Sequence, residues 1–396
     1  MTLLLLNIDD FKDINDTDGH ACGDAVLKVI ARRLYELHHT DGCLVSRFGS
    51  DEFLLVVFTA EAKPLEDFLL KLRTILAMPV TISEKRHFIK VSLGIMCSRA
   101  QDRGPSGVEA LVDEMLGNAG LAVHEVKTTG KNGYAYYNLG MKAAQVRVQY
   151  IREILLKACQ EDGFEVVYQS QVETATGLTK GYEALLRVKG QKLSPAEFIP
   201  VAEQTGMIIT IGRIVTKKVV EQLAVWRAHK LSLHPVAINF SSKQLLDKAY
   251  VLYLKNLLDE QDLPAALVEI EITESIFINN SDQAMRLFKE FSSIGIALTL
   301  DDFGTGYSSI NYLTYIPVQK IKLDKSLIDI YLREGKDSFI NNLIRLAHGL
   351  GLKLTVEGVE CLEQLERLKN FGCDFIQGFY FSKPISGQAV EEKKFF

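Results

Sequence analysis

From about Glu165 onward one rhythm dominates this chain: short apolar strand patterns, most of them followed by a helical pattern. Eight strand candidates stand in order: "EVVYQSQV", "YEALLRV", "VAINF", "VEIEIT", "ALTLDD", "QKIKLD", "KLTVEGV" and "FIQGFYF". Runs such as "GRIVTKKVVEQLAVWRAH" and "DSFINNLIRLAHGLG" carry helical spacing between them. Eight strands with intervening helices in roughly 250 residues predict a TIM-type (β/α)8 barrel. The first gap is the exception. Only "ETATGLTKG" separates strands one and two. A parallel crossover needs a dozen residues or more, so this pair is expected to be antiparallel.

Such barrels carry their active groups at the carboxyl ends of the strands. Those positions hold Glu183, Asn239, Glu271, Asp301 with Asp302, Lys322, Glu357 and Gln377. For any single acid there, an exposed or capping carboxylate is the better reading. Several from different strands would repel one another over an apolar barrel unless something positive neutralised them. Oxygen donors without histidine or cysteine point to Mg²⁺ or Mn²⁺, not zinc. A bridged pair of such ions, about 3.5–4 Å apart, activates water and steadies an in-line phosphoryl displacement. An anionic phosphodiester suits such a centre. Lys322 could instead be a Schiff-base nucleophile, but that chemistry needs a depressed pKa, and nearby acids favour the ammonium. The stretch "FGTGYSS" after Asp302 reads either as a plain flexible loop or as part of the site.

The first ~140 residues follow a different order, strand-helix-strand-strand-helix-strand, which predicts an α+β sheet layer. Strands are expected at "TLLLLNI", "CLVSRF", "EFLLVVF", "FIKVSLGIMCS" and "YAYYN", with a tight hairpin at "RFGSDEF". "MKAAQVRVQYIREILLKACQ" reads as a linker helix with Val146, Tyr150, Ile154, Leu155 and Ala158 on one side. The expected organisation is a front domain at 1–140, a linker helix at 141–161 and the barrel domain at 162–396.

A net charge of −5 argues against DNA or RNA binding through a bulk positive field. The six cysteines form no CxxC pair, so reduced thiols are expected rather than a disulfide framework. "MTLLLLNIDD" lacks a basic leader and runs into acids, which reads as a strand, not a signal peptide. No stretch reaches the roughly 18 apolar residues of a membrane span, and the cytoplasm is the expected location.

Residues from about Val148 onward resemble the EAL family of cyclic di-GMP phosphodiesterases. The likeness rests on Glu183-Ala184-Leu185 with Arg187, "SPAEFIPVAEQTG", "NFSSKQL", "EITES", "DDFGTGYSS", "KLDKS", "EGVE" and "QGFYFSKP", in family order. The resemblance implies metal ligands at Glu183, Asn239, Glu271 and Asp301, with Asp302 toward a second Mg²⁺ or Mn²⁺. It implies that Lys322 and Glu357 handle the attacking water, that Glu360 lies on the substrate side and that Glu274 anchors the loop after Asp302. Gln169, Arg187 and Gln377 match residues that hold the dinucleotide. The implied reaction opens one ester bond of cyclic di-GMP to give linear pGpG, in a homodimer paired through the barrel. "YQSQV" departs from the family's usual Gln-Pro-Ile after the tyrosine, and Val188 stands where an aromatic is common. The competing reading is an inert cyclic di-GMP receptor that signals to a protein partner.

The front domain resembles GGDEF diguanylate cyclases through "NIDDFKDINDTDGHACGD", "RFGSDEF" and "EVKTTGKNG". Asn7 stands at the family's first metal aspartate, which removes a charge from the ion site. Ser50 stands at the signature's second glycine, where a side chain limits close backbone approach. The segment that precedes the first strand in the family is absent, so this domain reads as N-terminally truncated. The RxxD inhibitory window reads "TDGC". Asn15 and Asp24 match guanine contacts, and Lys127 and Lys131 match phosphate contacts. Asp9, Asp51 and Glu52 could hold a metal weakly, and His20 reads as a structural turn residue. A degenerate domain without cyclase activity is expected. GTP binding as a regulatory signal and a purely structural role stand as its two readings.

Overall fold

The computed structural model describes residues 1–59, 61–82, 84–98, 107–274, 276–304, 313, 315–332 and 336–392. From Thr305 on, the "FGTGYSS" loop lies outside the described residues. The chain divides into two compact units, Met1–Gln149 and Tyr150–Phe396.

The front unit runs β1 (Thr2–Ile8), α1 (Phe11–Asp18), α2 (His20–Asp41), β2 (Leu44–Arg47), β3 (Glu52–Val57) and α3 (Ala62–Ala77). It continues with β4 (Val80–Ile82), β5 (Lys85–His87), β6 (Val91–Cys97), α4 (Gly107–Thr128) and β7 (Tyr134–Tyr136). Its five-stranded sheet has the order β2-β3-β1-β6-β7, and only β6–β7 is parallel. β1 is apolar at nearly every position because both faces of the sheet are covered. Leu4, Leu6 and Ile8 join one core cluster with α2 and α3 residues, whereas Leu3 and Leu5 meet Met115, Ala119 and Val123 of α4. α4 approaches β6 so closely that a Cβ on Gly94 would collide with the Ala119 carbonyl.

The second unit takes up α5 (Leu139–Gln160) partway along its length and continues with β8 (Phe164–Glu173), β9 (Thr179–Val188), α6 (Pro195–Gln204), α7 (Ile208–Ala228) and β10 (Val236–Phe240). Next come α8 (Tyr250–Glu260), β11 (Val268–Thr273), α9 (Ile276–Ser293), β12 (Ala297–Phe303), β13 (Lys320–Leu323), α10 (Lys325–Tyr331) and α11 (Asp337–Gly349). The unit ends with β14 (Lys353–Val356), α12 (Leu362–Asn370), β15 (Phe375–Ile376), β16 (Ile385–Ser386) and α13 (Gly387–Glu392). Strands β8 to β15 pair in sequence order, and β15 pairs back to β8, closing an eight-stranded TIM-type barrel. As the short first connection requires, β8–β9 is antiparallel. The closing β15–β8 pair is antiparallel too, so β8 runs against both neighbours. Helices hold the outside through apolar stripes: α7 buries Ile208, Ile211, Val215, Val219, Leu223 and Trp226 at helical spacing. Each such side chain contributes about 1.5–3 kcal/mol by leaving water.

Several expectations need correction. α5 buries Ile151, Leu155 and Ala158, while Val146 and Tyr150 are exposed. Ile154 packs half-buried against the same core, so the expected face holds over the second half of the helix and fails over the first, where Val146 and Tyr150 meet solvent. "FIQGFYF" supplies only a two-residue strand, Phe375–Ile376. Gly378 sits against the Val359 backbone, with no room for a Cβ, and the chain turns there. β6 begins at Val91, three residues later than "FIKVSLGIMCS" suggests, because Lys85–His87 pairs with β4 as a separate hairpin.

Candidate active site

In the barrel strands the polar residues face inward and the apolar ones outward. In β11, Val268, Ile270 and Ile272 belong to the core cluster beneath the helices, and Glu269 and Glu271 occupy the alternate face. β13 repeats this with Ile321 and Leu323 against Lys320 and Lys322. The stagger of the closed barrel then lifts successive strands: Glu183 is level with Ala237, Asn239 with Glu271, and Thr273 with Asp301.

Lys322 is the hub of the upper layer. It is fully buried, and its Nζ lies 2.6 Å from Glu357, 2.8 Å from Glu271, 3.3 Å from Asp301 and 3.4 Å from Glu183. Burial alone would drive its ammonium toward neutrality. Asp301, Glu183, Glu271 and Glu357 outweigh that and raise its pKa above a lysine's ordinary value. Glu183 is pushed up by burial, yet Lys322 and hydrogen bonds from Gln377 and Asn239 hold it below the usual carboxylate range. Glu271 is raised, first by burial and then by Glu183 and Asp301. Burial lifts Glu357 to about 7 despite Lys322.

The adjacent aspartates part company. Asp301 is buried at the hub, while Asp302 adopts a left-handed backbone, φ 55°, and stands at the rim. That break in the pleat lets neighbours on one strand border the same mouth, at the cost of a conformation L-residues rarely adopt. Asp302 N donates to Asp301 Oδ1 at 3.0 Å. Residual desolvation, with Asp301 and Asp324 beside it, raises the Asp302 carboxyl to about 6. Just beyond, Gly304 N donates to Glu274 Oε1 at 2.9 Å.

Asn239 Nδ2 donates to Glu183 Oε1 at 2.8 Å, and Gln377 Nε2 donates to Glu183 Oε2 at 2.5 Å and to Gln169 Oε1 at 3.1 Å. Gln377 Oε1 is buried without a hydrogen-bond partner among the described residues. Arg187 shares the Glu183 face of β9, four residues on, and its guanidinium donates to Leu186 O at 2.8 Å. Glu360 is exposed and paired with Lys325.

The family model of the EAL domain matches residues 152–384. The chain belongs to the EAL domain family. Ahead of it, the model of the diguanylate cyclase GGDEF domain matches residues 1–133. The chain is 33% identical over 396 residues to the signaling protein YkoW of Bacillus subtilis, covering 98% of this chain and 48% of that one. It is 30% identical over 393 residues to the cyclic di-GMP phosphodiesterase PdeR of Escherichia coli, covering 98% and 58% respectively. The chain thus spans about half the length of the curated relatives it matches. Among solved structures, the MucR phosphodiesterase in complex with c-di-GMP is 30% identical with a TM-score of 0.57, covering 61% of this chain and 99% of that one. The FimX EAL domain of Pseudomonas aeruginosa bound to c-di-GMP is 25% identical with a TM-score of 0.55, covering 59% and 96%.

A second polar layer inside the EAL barrel escaped sequence reasoning. Lys320 Nζ lies 2.8 and 2.9 Å from the two oxygens of Glu269, which also accepts from Thr299. Gln171 joins the layers, accepting from Lys320 at 3.4 Å and donating to Glu271 at 3.4 Å. The signal was there in the period-two repeats Glu269/Glu271, Thr299/Asp301 and Lys320/Lys322. A cavity of about 520 Å³ lined by Lys180, Glu269, Lys320, Lys353 and Phe375 opens at the amino ends of the parallel strands, opposite the mouth. In barrels of this type that end serves stability.

In the GGDEF-like unit, Asn7 Nδ2 donates to Asp51 at 3.4 Å and to Glu52 at 3.3 Å, and Ser50 Oγ donates to Asp51 at 2.8 Å. Asp9 is buried and accepts from Ser92 Oγ at 2.7 Å and Asn132 N at 3.0 Å. Asn15 packs against Gly23, where a Cβ would strike its side chain. Asp24 lines a cavity of about 470 Å³ with Leu27, Lys28, Tyr35, Arg47 and Phe53. Lys131 pairs with Asp10 at 2.6 Å, Lys127 is exposed, and His20 is the exposed first residue of α2. No helix among the described residues is long and apolar enough to cross a membrane.

Proposed function

We propose that the barrel hydrolyses cyclic di-GMP to linear pGpG with Mg²⁺ or Mn²⁺, two ions to a site. The observation that carries this reading is the gathering of Glu183, Glu271, Asp301 and Glu357, from four strand ends, around one buried ammonium. The similarity to PdeR and to the MucR phosphodiesterase supports it. The donor chemistry fits hard divalent cations. Four carboxylates meet the Lys322 ammonium and Asp302 borders the same mouth; with all five ionised the surplus would be four negative charges, which two divalent ions would balance. Three of the five carry raised pKa values, first from burial and then from neighbouring carboxylates. No three of the described mouth carboxylates bring oxygens within 4.8 Å of one another, since they are arrayed around Lys322. Glu183, Asn239, Glu271, Asp301 and Asp302 would hold the ions, which when bound polarise phosphoryl oxygens and acidify water.

The side chains do the remainder. Lys322 stays protonated, orients Glu357 and favours a developing negative charge at the mouth. Glu357 takes a proton from water positioned there. Gln169, Arg187 and Gln377 hold the dinucleotide, and the unpartnered Gln377 Oε1 is an acceptor suited to a base N–H. Glu360 leaves Lys325 to meet substrate, and Glu274 anchors the loop that begins at Gly304.

The front unit, in this reading, regulates the barrel and makes no cyclic di-GMP. Asn7 and Ser50 turn hydrogen-bond donors onto Asp51, and Asp9 is already satisfied by Ser92 and Asn132. Asn15, Asp24, Lys127 and Lys131 are the groups that would bind GTP. Pairing of two copies through the barrel follows from the family resemblance, and light scattering tests it.

The deciding assay incubates the chain with cyclic di-GMP and Mg²⁺ or Mn²⁺, beside Glu183→Ala and Asp301→Ala. Metal-dependent pGpG that both substitutions abolish is the expected result. Tight binding with no product would instead select the receptor reading. Adding GTP then tests regulation: an unchanged rate with no GTP bound would remove it.

A further inference from the structure

We propose that Asp18, Cys22 and His87 form a zinc site in the front unit. The three residues come from separate pieces of the fold. Asp18 ends α1, Cys22 lies in the first turn of α2, and His87 ends the β4–β5 hairpin. Cys22 Sγ lies 3.8 Å from His87 Nε2, and Asp18 Oδ2 lies 3.8 Å from His87 Nδ1. One donor atom from each falls within 4.8 Å of the others, and among the described residues no other histidine, cysteine or acid group meets that test.

The spacing has a physical meaning. Zn–S bonds of about 2.3 Å and Zn–N bonds of about 2.0–2.1 Å at a tetrahedral angle separate sulfur and nitrogen by about 3.6 Å. The observed Cys22–His87 Nε2 separation is close to that; Asp18 stands beside the other ring nitrogen, Nδ1, and would have to turn toward the Nε2 side to complete three ligands. Lys85 donates to Asp18 Oδ1, which leaves Oδ2 as the oxygen nearer the imidazole. A ligating carboxylate whose other oxygen is hydrogen-bonded is the usual outer-shell arrangement. Side chains of Asp18 and Lys85 reach solvent, so water would supply the fourth position.

Thiolate and imidazole select zinc over the hard ions suited to the barrel mouth, where the expected ligands are all oxygen. The Cys22 thiol must lose its proton on binding, so affinity falls with falling pH. The bound ion would tie the α1–α2 junction to the β4–β5 hairpin. That junction carries Asn15 and Asp24, so metal would fix the two groups expected to meet guanine.

The test uses the full chain, stripped of metal and kept reduced, with Co²⁺ as a spectroscopic stand-in for zinc. One equivalent should give a thiolate-to-cobalt charge-transfer band that zinc displaces. Cys22→Ser should abolish the band, and His87→Ala should weaken binding at least tenfold, with circular dichroism confirming that both variants fold. Cys361→Ser, which removes an exposed thiol elsewhere, should leave the band intact. A band that survives Cys22→Ser, or no thiolate band in the reduced parent chain, would overturn the proposal. Because the barrel ligands contain no sulfur, failure here leaves the hydrolase reading untouched.

Discussion

Lys322→Met would remove the cation that serves three buried carboxylates and the half-buried Glu357 while nearly preserving side-chain volume. Lys322 has no exposed surface, and its Nζ reaches Glu183, Glu271, Asp301 and Glu357 within 3.4 Å. Deleting one partner of a buried ionic cluster costs about 3–5 kcal/mol. Protonation of the acids limits the loss, because Glu357 is already lifted to about 7 and Glu271 is raised as well. An acid whose folded pKa exceeds its unfolded value of about 4.3 loses stability as pH rises through the interval between them. The penalty should therefore be smallest near pH 5 and largest near pH 8. Lys322 itself does not blur this trend. Its folded pKa is raised, so its contribution is fully present below the unfolded value of about 10.4 and is lost only at still higher pH. The readout is urea unfolding in chelator, followed by the fluorescence of Trp226, the sole tryptophan, buried in the barrel unit. A loss below about 1 kcal/mol at pH 8, or a larger loss at pH 5 than at pH 8, would refute the reasoning.

Glu274→Ala should free the Gly304 amide and loosen the loop start, at the cost of an exposed hydrogen bond of about 0.5 kcal/mol. Pre-steady-state turnover should drop while Trp226 unfolding moves little, and equal turnover in the two proteins counts against an anchoring role. Arg213 makes two 2.7 Å bonds to Asp247 and lowers its pKa, so the pair stabilises above the unfolded pKa of about 3.9 and the benefit fades as pH falls through the folded value. Arg213→Ala should cost about 0.2–1 kcal/mol at pH 6 and less near pH 3; a gap that does not narrow in acid refutes the pairing. Gly94→Ala should push α4 from β6 and destabilise the front unit by about 1–3 kcal/mol, leaving the Trp226 transition in place. Differential scanning calorimetry would separate the two transitions, and an unchanged front transition would contradict the close packing.

The strand ends were legible because the barrel imposes two demands on sequence at once. Helices require apolar residues on the outward positions, and Ile270, Ile272, Ile321 and Leu323 satisfy them. Period-two alternation then leaves Glu269, Glu271, Lys320 and Lys322 to the interior, where Lys320 answers Glu269 and Lys322 answers Glu271. Read for its top positions only, the pattern yields the mouth but hides the lower pair, since an acid two residues before a strand end resembles any solvent-facing residue of an amphipathic strand. The left-handed turn at Asp302 could not be read at all, because aspartate tolerates that backbone without demanding it. α1 left little trace because it is short: only Phe11 and Ile14 reach the core, half-buried, and two positions do not establish a period. The polar column of Lys320, Gln171, Glu271 and Lys322 follows from the same rule that made the fold readable. With the helices supplying the hydrophobic stabilisation from outside, the barrel interior can hold charge as long as each charge has an opposite beside it. At the mouth that balance stops short, with four carboxylates on one lysine and Asp302 bordering them, and the raised pKa values of Glu271, Asp302 and Glu357 are the mark of carboxylates that burial and like-charged neighbours disfavour.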